Sequence, residues 1–375
     1  MKTVLIIDDD PEYHELLTEA IAEAFSGIVC NCEADFEKGV ERVAVERPDA
    51  VILDLMEGLQ SPNLPGAKTW KSIWDGSFCP IVIYSGTDAD IDPAIRQGQR
   101  FVERIAKGEG SLPKVVASLQ RFAPFAASVR SLRTEVDAVI HKVLRDTAGD
   151  GHMPMDDASH LLHAGRRRIA ATMDDPTLIG NRKMTCWEVY LVPAIGRDCL
   201  TGDIIYKRGS PKTSPESYRL ILSPSCDLAR GGKVPAALVA KCFPSAAMLD
   251  KFKKAVEPSD DKDLKKQLAS LVLSQGSWNG WLPLPAFGDI LPTSAANLKD
   301  LEIIPLASIG DFKSSNHDFV RVASIDSPFR EQVAWAYLTT AARPGMPERD
   351  LKPWAEEVVK AATTKPQAGN TAAGT

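Results

Sequence analysis

Val4-Leu5-Ile6-Ile7-Asp8-Asp9-Asp10 stands near the start of the chain, and Val51-Ile52-Leu53-Asp54 repeats its form further on. Each apolar run is short and rich in β-branched residues, which reads as a strand buried on both faces of a parallel sheet. Ligands of open parallel sheets collect at the carboxyl ends of the strands. Both acidic strand ends therefore face one small pocket. Carboxylates that close repel one another unless a cation neutralises them. Hard divalent cations such as Mg2+ take oxygen ligands of this kind. The pattern predicts a metal-assisted acidic pocket with one carboxylate left over for chemistry, and Asp10 is set aside as the start of the first helix.

Two further strands complete the pocket. Pro80-Ile81-Val82-Ile83-Tyr84 ends in Ser85-Gly86, and Phe101-Val102-Glu103-Arg104-Ile105-Ala106 ends in Lys107-Gly108. Carboxylates, a hydroxyl and an ammonium suit phosphoryl transfer to an aspartate, because cation and lysine neutralise phosphate oxygens while the carboxylate attacks. Another doubly wound fold with acidic strand ends would explain Asp8 and Asp54, but not Ser85 and Lys107. Between the strands, Pro11 marks a helix start and Tyr13 to Phe25 has helical spacing. Ile28 to Cys32 reads as a strand, Phe36 to Arg47 as a helix ended by Pro48, and Ser111 to Phe122 as a helix capped by Ser111. The βα alternation predicts an α/β, doubly wound, five-stranded parallel sheet.

In these residues, positions 1–123 resemble the receiver domain of two-component response regulators, a flavodoxin-like fold. The resemblance implies that Asp8 and Asp9 hold Mg2+ together with Asp54 and the Met56 carbonyl. It also implies that Asp54 is the phosphoacceptor, Ser85 the switch hydroxyl and Lys107 the family's lysine. A histidine kinase or phosphotransfer protein is the implied donor. Three features depart from the family. Gly108 replaces the proline that commonly follows the lysine, so a looser lysine loop is expected. Arg104 takes the place of the aromatic switch residue, and Glu57 to Gly66 lengthens the loop after Asp54.

At 375 residues, with 44% apolar and 25% charged residues, the chain has room for two ordinary globular domains. No apolar stretch spans a bilayer, no signal peptide is evident, and seven scattered cysteines fit reduced thiols in a cytoplasm. A net charge of −6 argues against a nucleic-acid surface. Residues 124–180 read as a helical linker. Val129, Leu132, Val136, Val139, Ile140 and Val143 form a narrow seam over 125–144, which either packs on its own domain or pairs two copies as a homodimer. Gly149-Asp150-Gly151 breaks that helix, and Asp157 to Met173 forms another. It carries His160 and His163, better read as surface or packing residues than as metal ligands, and Arg166-Arg167-Arg168, read as a solvated face.

Residues 181–350 read as a second α+β domain with a small bent sheet or barrel. Its strands are Trp187–Val192, Asp203–Tyr206, Tyr218–Leu222, Ala237–Cys242 and Phe319–Ala323, with a helical insert over Ala246 to Ser274. Gly202 to Ile205 with Arg219 to Ser223 resembles SH3-like barrels of the toxin-endoribonuclease type. A helix near Pro328 to Ala342 follows, and 351–375 hold a terminal helix and a disordered tail. Cys226 beside Asp227 is a candidate nucleophile or metal ligand, against a plain turn thiol with Asp227 capping the next segment. Cys199, Cys226, Cys242 and His317 form a weaker zinc set, without CxxC spacing. No helix-turn-helix, P-loop or cyclic-dinucleotide output pattern stands out. Two functions follow. In the first, the C-terminal domain binds an effector protein or retains phosphate, as in receiver proteins of bacterial antiphage two-component-like systems, which the chain resembles in architecture. In the second, residues 186–350 form a phosphorylation-gated nuclease or hydrolase using Cys226 or Asp227.

Overall fold

The computed structural model describes residues 1–56, 65–86, 100–146, 158–173, 183–229, 234–311, 316–342 and 350–363. The chain divides into two compact units, Met1–Asn181 and Arg182–Thr375.

In the first unit, strands β1 (Thr3–Ile7), β2 (Val29–Glu33), β3 (Ala50–Leu53), β4 (Ile81–Ser85) and β5 (Val102–Ala106) form a parallel five-stranded sheet in the order β2-β1-β3-β4-β5. Helices α1 (Pro11–Ala24), α2 (Phe36–Glu46), α3 (Pro65–Gly76) and α4 (Leu112–Leu144) accompany it. Side chains alternate across a strand, and here both sides are buried. Leu5, Ile7, Val51, Leu53, Ile81 and Ile83 pack in one core with Phe36, Val43, Trp70 and Ile73 of α2 and α3. Val4, Ile6, Ile52, Val82 and Tyr84 pack in the other with Leu17 and Ile21 of α1 and Val115, Leu119 and Phe122 of α4. Continuous apolar runs, rather than alternating ones, are what such a sheet needs.

The helix starts follow the sequence. Asp10 caps α1 by accepting from the Glu12 amide at 2.9 Å, ahead of Pro11 in the first turn. Asp35 caps α2 through the amides of Glu37 and Lys38. Ser111 stands at the start of α4 but makes no side-chain cap; its hydroxyl is used elsewhere. The helix expected over Ser111 to Phe122 and the seam expected over 125–144 are one helix, because α4 runs for 33 residues with Pro124 inside it. Local packing holds the helix through that residue. Phe125 stacks on Phe101 at 3.9 Å between ring centroids, Ala126 is buried, and Arg130 pairs with the buried Asp49. On the seam, Val139 and Val143 are buried and Leu132 is 55% exposed. Helix α5 (Ala158–Met173) packs on α4 and exposes His163 and Arg166 to Arg168. The Gly149–Gly151 break, the His160 side chain and most of the loop after Asp54 lie outside the described residues.

The second unit holds an eight-stranded sheet. Its strands are β6 (Tyr190–Leu191), β7 (Asp203–Lys207), β8 (Tyr218–Ile221), β9 (Ala236–Pro244), β10 (Trp281–Leu284), β11 (Ser294–Pro305), β12 (Ile309–Gly310) and β13 (Phe319–Ile325). The order is β10-β11-β9-β8-β7-β13-β12, with β6 also on β13, and all pairs are antiparallel except β12 with β13. The β7–β8 hairpin seen in the sequence is present, with Ile204 opposite Leu220. A barrel is not formed, for β10 and β12 end the sheet without pairing to each other among the described residues. The Ala246–Ser274 insert is two helices, α7 (Ser245–Val256) and α8 (Asp261–Gln275), with the one-turn helix α6 (Ser225–Leu228) earlier. Helices α9 (Phe329–Ala341) and α10 (Lys352–Thr363) close the described chain, and residues 364–375 lie outside it.

A charged pair sits inside this second unit. Arg321, 2% exposed, bonds to Asp203, 0% exposed, at 2.9 Å. It also donates to the carbonyls of Ile195 and Gly196 and to Asp311. Asp203 accepts in addition from the Ser324 hydroxyl at 2.6 Å and the Leu200 amide at 2.8 Å. A buried pair is tolerable when its remaining hydrogen-bonding positions are filled, and removing one partner strands the other charge. Asp203→Ala is therefore expected to destabilise the protein by about 3–5 kcal/mol, against about 1 kcal/mol or less for Glu302→Ala, whose pair with Arg219 is partly exposed. Urea melts of the two variants measure the difference.

Candidate functional site

The carboxyl ends of β1, β3, β4 and β5 bring Asp8, Asp54, Ser85 and Lys107 to one place. Sheet bonds carry past the strands and fix these ends. The Asp8 amide donates to Glu33 O at 3.1 Å, the Asp54 amide to Ile7 O at 2.8 Å and the Lys107 amide to Ser85 O at 3.0 Å. Lys107 Nζ bridges the acids, at 2.8 Å from Asp8 Oδ2 and 2.6 Å from Asp54 Oδ2. The other Asp54 oxygen, Oδ1, accepts from the Leu55 amide at 2.5 Å and the Met56 amide at 3.3 Å. Asp8 Oδ1 accepts from the Asp10 amide at 3.1 Å. Asp8, Asp54 and Ser85 are all buried.

Asp8, Asp9 and Asp54 each offer an oxygen within 4.8 Å of the others, the one such His/Cys/Asp/Glu group among the described residues. Hard oxygen donors in this number suit Mg2+, which takes few protein carboxylates and keeps water. Ser85 Oγ is buried without a hydrogen-bond partner. A buried polar atom left unsatisfied is costly and calls for a ligand or water. Burial pushes the Asp8 pKa up, and the nearby Asp54 charge adds to this against the opposing pull of Lys107. Burial on its own would lower the Lys107 pKa, but its hydrogen bonds to Asp54 and Asp8 outweigh that and raise it, so the ammonium stays charged.

Several contributors were not singled out from sequence. The Tyr13 ring lies 3.9 Å from Lys107 Nζ, and the Tyr84 ring lies 5.8 Å from it. Tyr84 OH meets Ser111 Oγ at 2.7 Å, and Ser111 donates to Gly108 O at 2.6 Å. The lysine loop without its proline is thus tied by Ser111 rather than loose. Helical spacing and an apolar strand gave Tyr13 and Tyr84 a core reading, and nothing in either pattern marks a lysine contact. Gly66 is the third. A Cβ there would lie 2.1 Å from Asp54 O and 2.5 Å from Leu55 Cα, so only glycine lets α3 approach the backbone at Asp54. Arg104 is exposed on β5 opposite Ile83.

The C-terminal candidates do not assemble. Cys226 is exposed on α6, with its Sγ 3.8 Å from Asp227 Oδ1. Cys242 is buried in the sheet core, and Cys199 packs against the opposite core. Burial pushes the Cys199 thiol up to about 11 and the Cys242 thiol up to about 12, which keeps both protonated and poor as nucleophiles. These residues and His317 do not form a ligand group among the described residues.

No family model matches the chain. It is 26% identical over 177 residues to the response regulator MprA of Mycobacterium ulcerans, covering 47% of this chain and 69% of that protein. The MprA of Mycobacterium avium is 25% identical over 177 residues, covering 47% and 70%. Among solved structures, the signal receiver domain of a LuxO repressor protein from Vibrio parahaemolyticus is 14% identical, with 35% of this chain and 96% of that one covered at a TM-score of 0.29. Vibrio cholerae CheY4 is 20% identical, with 32% and 98% covered at a TM-score of 0.26. The N-terminal part of the chain is similar to response regulators, and its five-stranded parallel sheet is consistent with a receiver domain in that segment. No described helix is long and apolar enough to cross a membrane.

Two outcomes follow from this geometry. Gly66→Ala is expected to cost about 1–3 kcal/mol, read in thermal melts, and to displace the backbone at Asp54, read as amide shifts of Asp54 and Leu55. For Asp8, whose folded pKa lies above its unfolded value, the folding stability it contributes is present at low pH and lost as pH rises through the folded pKa. Metal-free Asp8→Asn protein is thus expected to gain stability relative to wild type at pH 7, and the gap should close on acidification.

Proposed function

We propose that the protein is a response-regulator-like signalling protein that accepts a phosphoryl group on Asp54 from a histidine kinase or phosphotransfer protein in the cytoplasm. The observation carrying this reading is the meeting of Asp8, Asp54 and Lys107 beside a buried, unpartnered Ser85 hydroxyl. Asp54 attacks the donor phosphorus through a carboxylate oxygen. The phosphorus–nitrogen bond of a phosphohistidine breaks, and its electron pair returns to the imidazole. Mg2+, held by Asp8, Asp9, Asp54 and the Met56 carbonyl, supplies charge neutralisation for the transferring group when bound. Lys107 neutralises a phosphoryl oxygen, and Ser85 donates its hydroxyl proton to another. The Leu55 and Met56 amides hold Asp54 Oδ1, which leaves Oδ2, the oxygen bonded to Lys107, to attack.

For the C-terminal unit we propose an interaction or phosphate-retention module that does not bind DNA and serves an effector protein in bacterial defence signalling. A homodimer through α4 would use the exposed Leu132, since Val139 and Val143 are already buried. Against an enzyme in residues 186–350, Cys226 is exposed on a one-turn helix, and the group within reach of its Sγ is the half-buried Asp227 carboxylate, a weak base for a thiol.

Radiolabel from a kinase or a small phosphodonor is expected on the wild type and absent from Asp54→Asn, while Cys226→Ala keeps full labelling. Label persisting in Asp54→Asn would mean that another residue is the acceptor. Mg2+ at a hundredfold excess over its Kd should raise the unfolding free energy by about 2.7 kcal/mol, measured by chemical denaturation, and Asp9→Ala should remove most of that gain.

A further inference from the structure

We propose that Tyr13, backed by Tyr84, is a positioning residue that holds the Lys107 ammonium over the pocket, an inference that rests on the phosphoacceptor reading above. Lysine carries its charge on a flexible four-carbon stem, so its placement must come from its surroundings. Two carboxylates pull the ammonium from the pocket side. Tyr13 meets it with a ring, Nζ lying 3.9 Å from the centroid. At that distance the electron-rich ring attracts a cation. Tyr84 stands edge-on to Tyr13, 5.9 Å between centroids at 81°, and fixes that ring in place.

The loop beyond the lysine is fastened by the same group. Ser111 has one hydroxyl proton and gives it to Gly108 O, so Tyr84 is the donor in the bond to Ser111. Tyr84 thereby supports Tyr13 with its ring and the Lys107–Gly108 backbone with its hydroxyl. This matters most after transfer. Once Asp54 Oδ2 is joined to phosphorus, it no longer carries the carboxylate charge that held Lys107. The Tyr13 face then keeps the ammonium within reach of the phosphoryl oxygens.

The test uses the full chain with Mg2+ and phosphoramidate as phosphodonor, and follows the maximal labelling rate and the Lys107 Hε resonances. Tyr13→Leu is expected to slow the maximal rate about fivefold and to abolish the upfield ring-current shift of Lys107 Hε. Tyr13→Phe, which keeps the ring, should restore both. Tyr13→Met, a strong helix former, takes the place of leucine if that variant does not fold. Wild-type rates together with an unchanged Hε shift in the leucine or methionine variant would overturn the proposal. A wild type that takes no label would defeat the phosphoacceptor reading instead, and the Hε shift would then decide by itself whether the bracket exists.

Discussion

The ammonium of Lys107 between Asp8 and Asp54 is the contact on which the N-terminal unit turns. Two buried carboxylates side by side would repel, and burial already pushes the Asp8 pKa up. One lysine with 10% of its side chain exposed bonds both acids at once. The strands are what make this possible, since residues far apart in sequence arrive at neighbouring strand ends of one sheet. On the proposed reading the same bond ties up the oxygen that attacks, so the resting pocket is partly neutralised and held in check. A cation held among Asp8, Asp9 and Asp54 would compete with the lysine for their charge.

The arrangement was open to reading because the constraints on it are local and strong. A strand buried on both faces requires an unbroken apolar run, and Val4 to Ile7, Val51 to Leu53 and Ile81 to Tyr84 are such runs. An acid, hydroxyl or lysine directly after one of them has nowhere to go but the carboxyl edge. Asp10 and Pro11 mark their helix start for equally local reasons. The supports of the pocket were hidden for the opposite reason. Tyr13 and Tyr84 fit the apolar pattern they sit in, and their second role depends on distances to a lysine far along the chain. Gly66 matters only because the Asp54 backbone passes beneath it.

The second unit was legible in pieces. The β7–β8 hairpin, β9 and β13 show themselves as short apolar runs with Pro and Gly between them. Strand β10 contains Pro283, a residue seldom found inside a sheet. Strand β11 begins Ser294-Ala295-Ala296-Asn297, and its pairing with β9 shifts between Asn297 and Leu301, which destroys any simple alternation. The buried Arg321 looked like any strand arginine, for its acceptors come from a loop more than a hundred residues earlier in the sequence. An open sheet rather than a barrel follows from these additional strands, which carry the ladder outward past β9.

The unbroken course of α4 through Pro124 bears on where the first unit can be cut. Severing the chain at the end of the family-like segment would remove Phe125 from its stack on Phe101 and Arg130 from the buried Asp49. An aromatic face and an uncompensated acid would then meet water at the end of the sheet away from the pocket. An autonomous fragment therefore has to extend at least to Arg133, whose guanidinium reaches the carbonyls of Arg47 and Phe78. Proteolytic trimming should stop beyond that residue, and comparative studies that isolate this portion of the chain should carry the extra turns of helix with it.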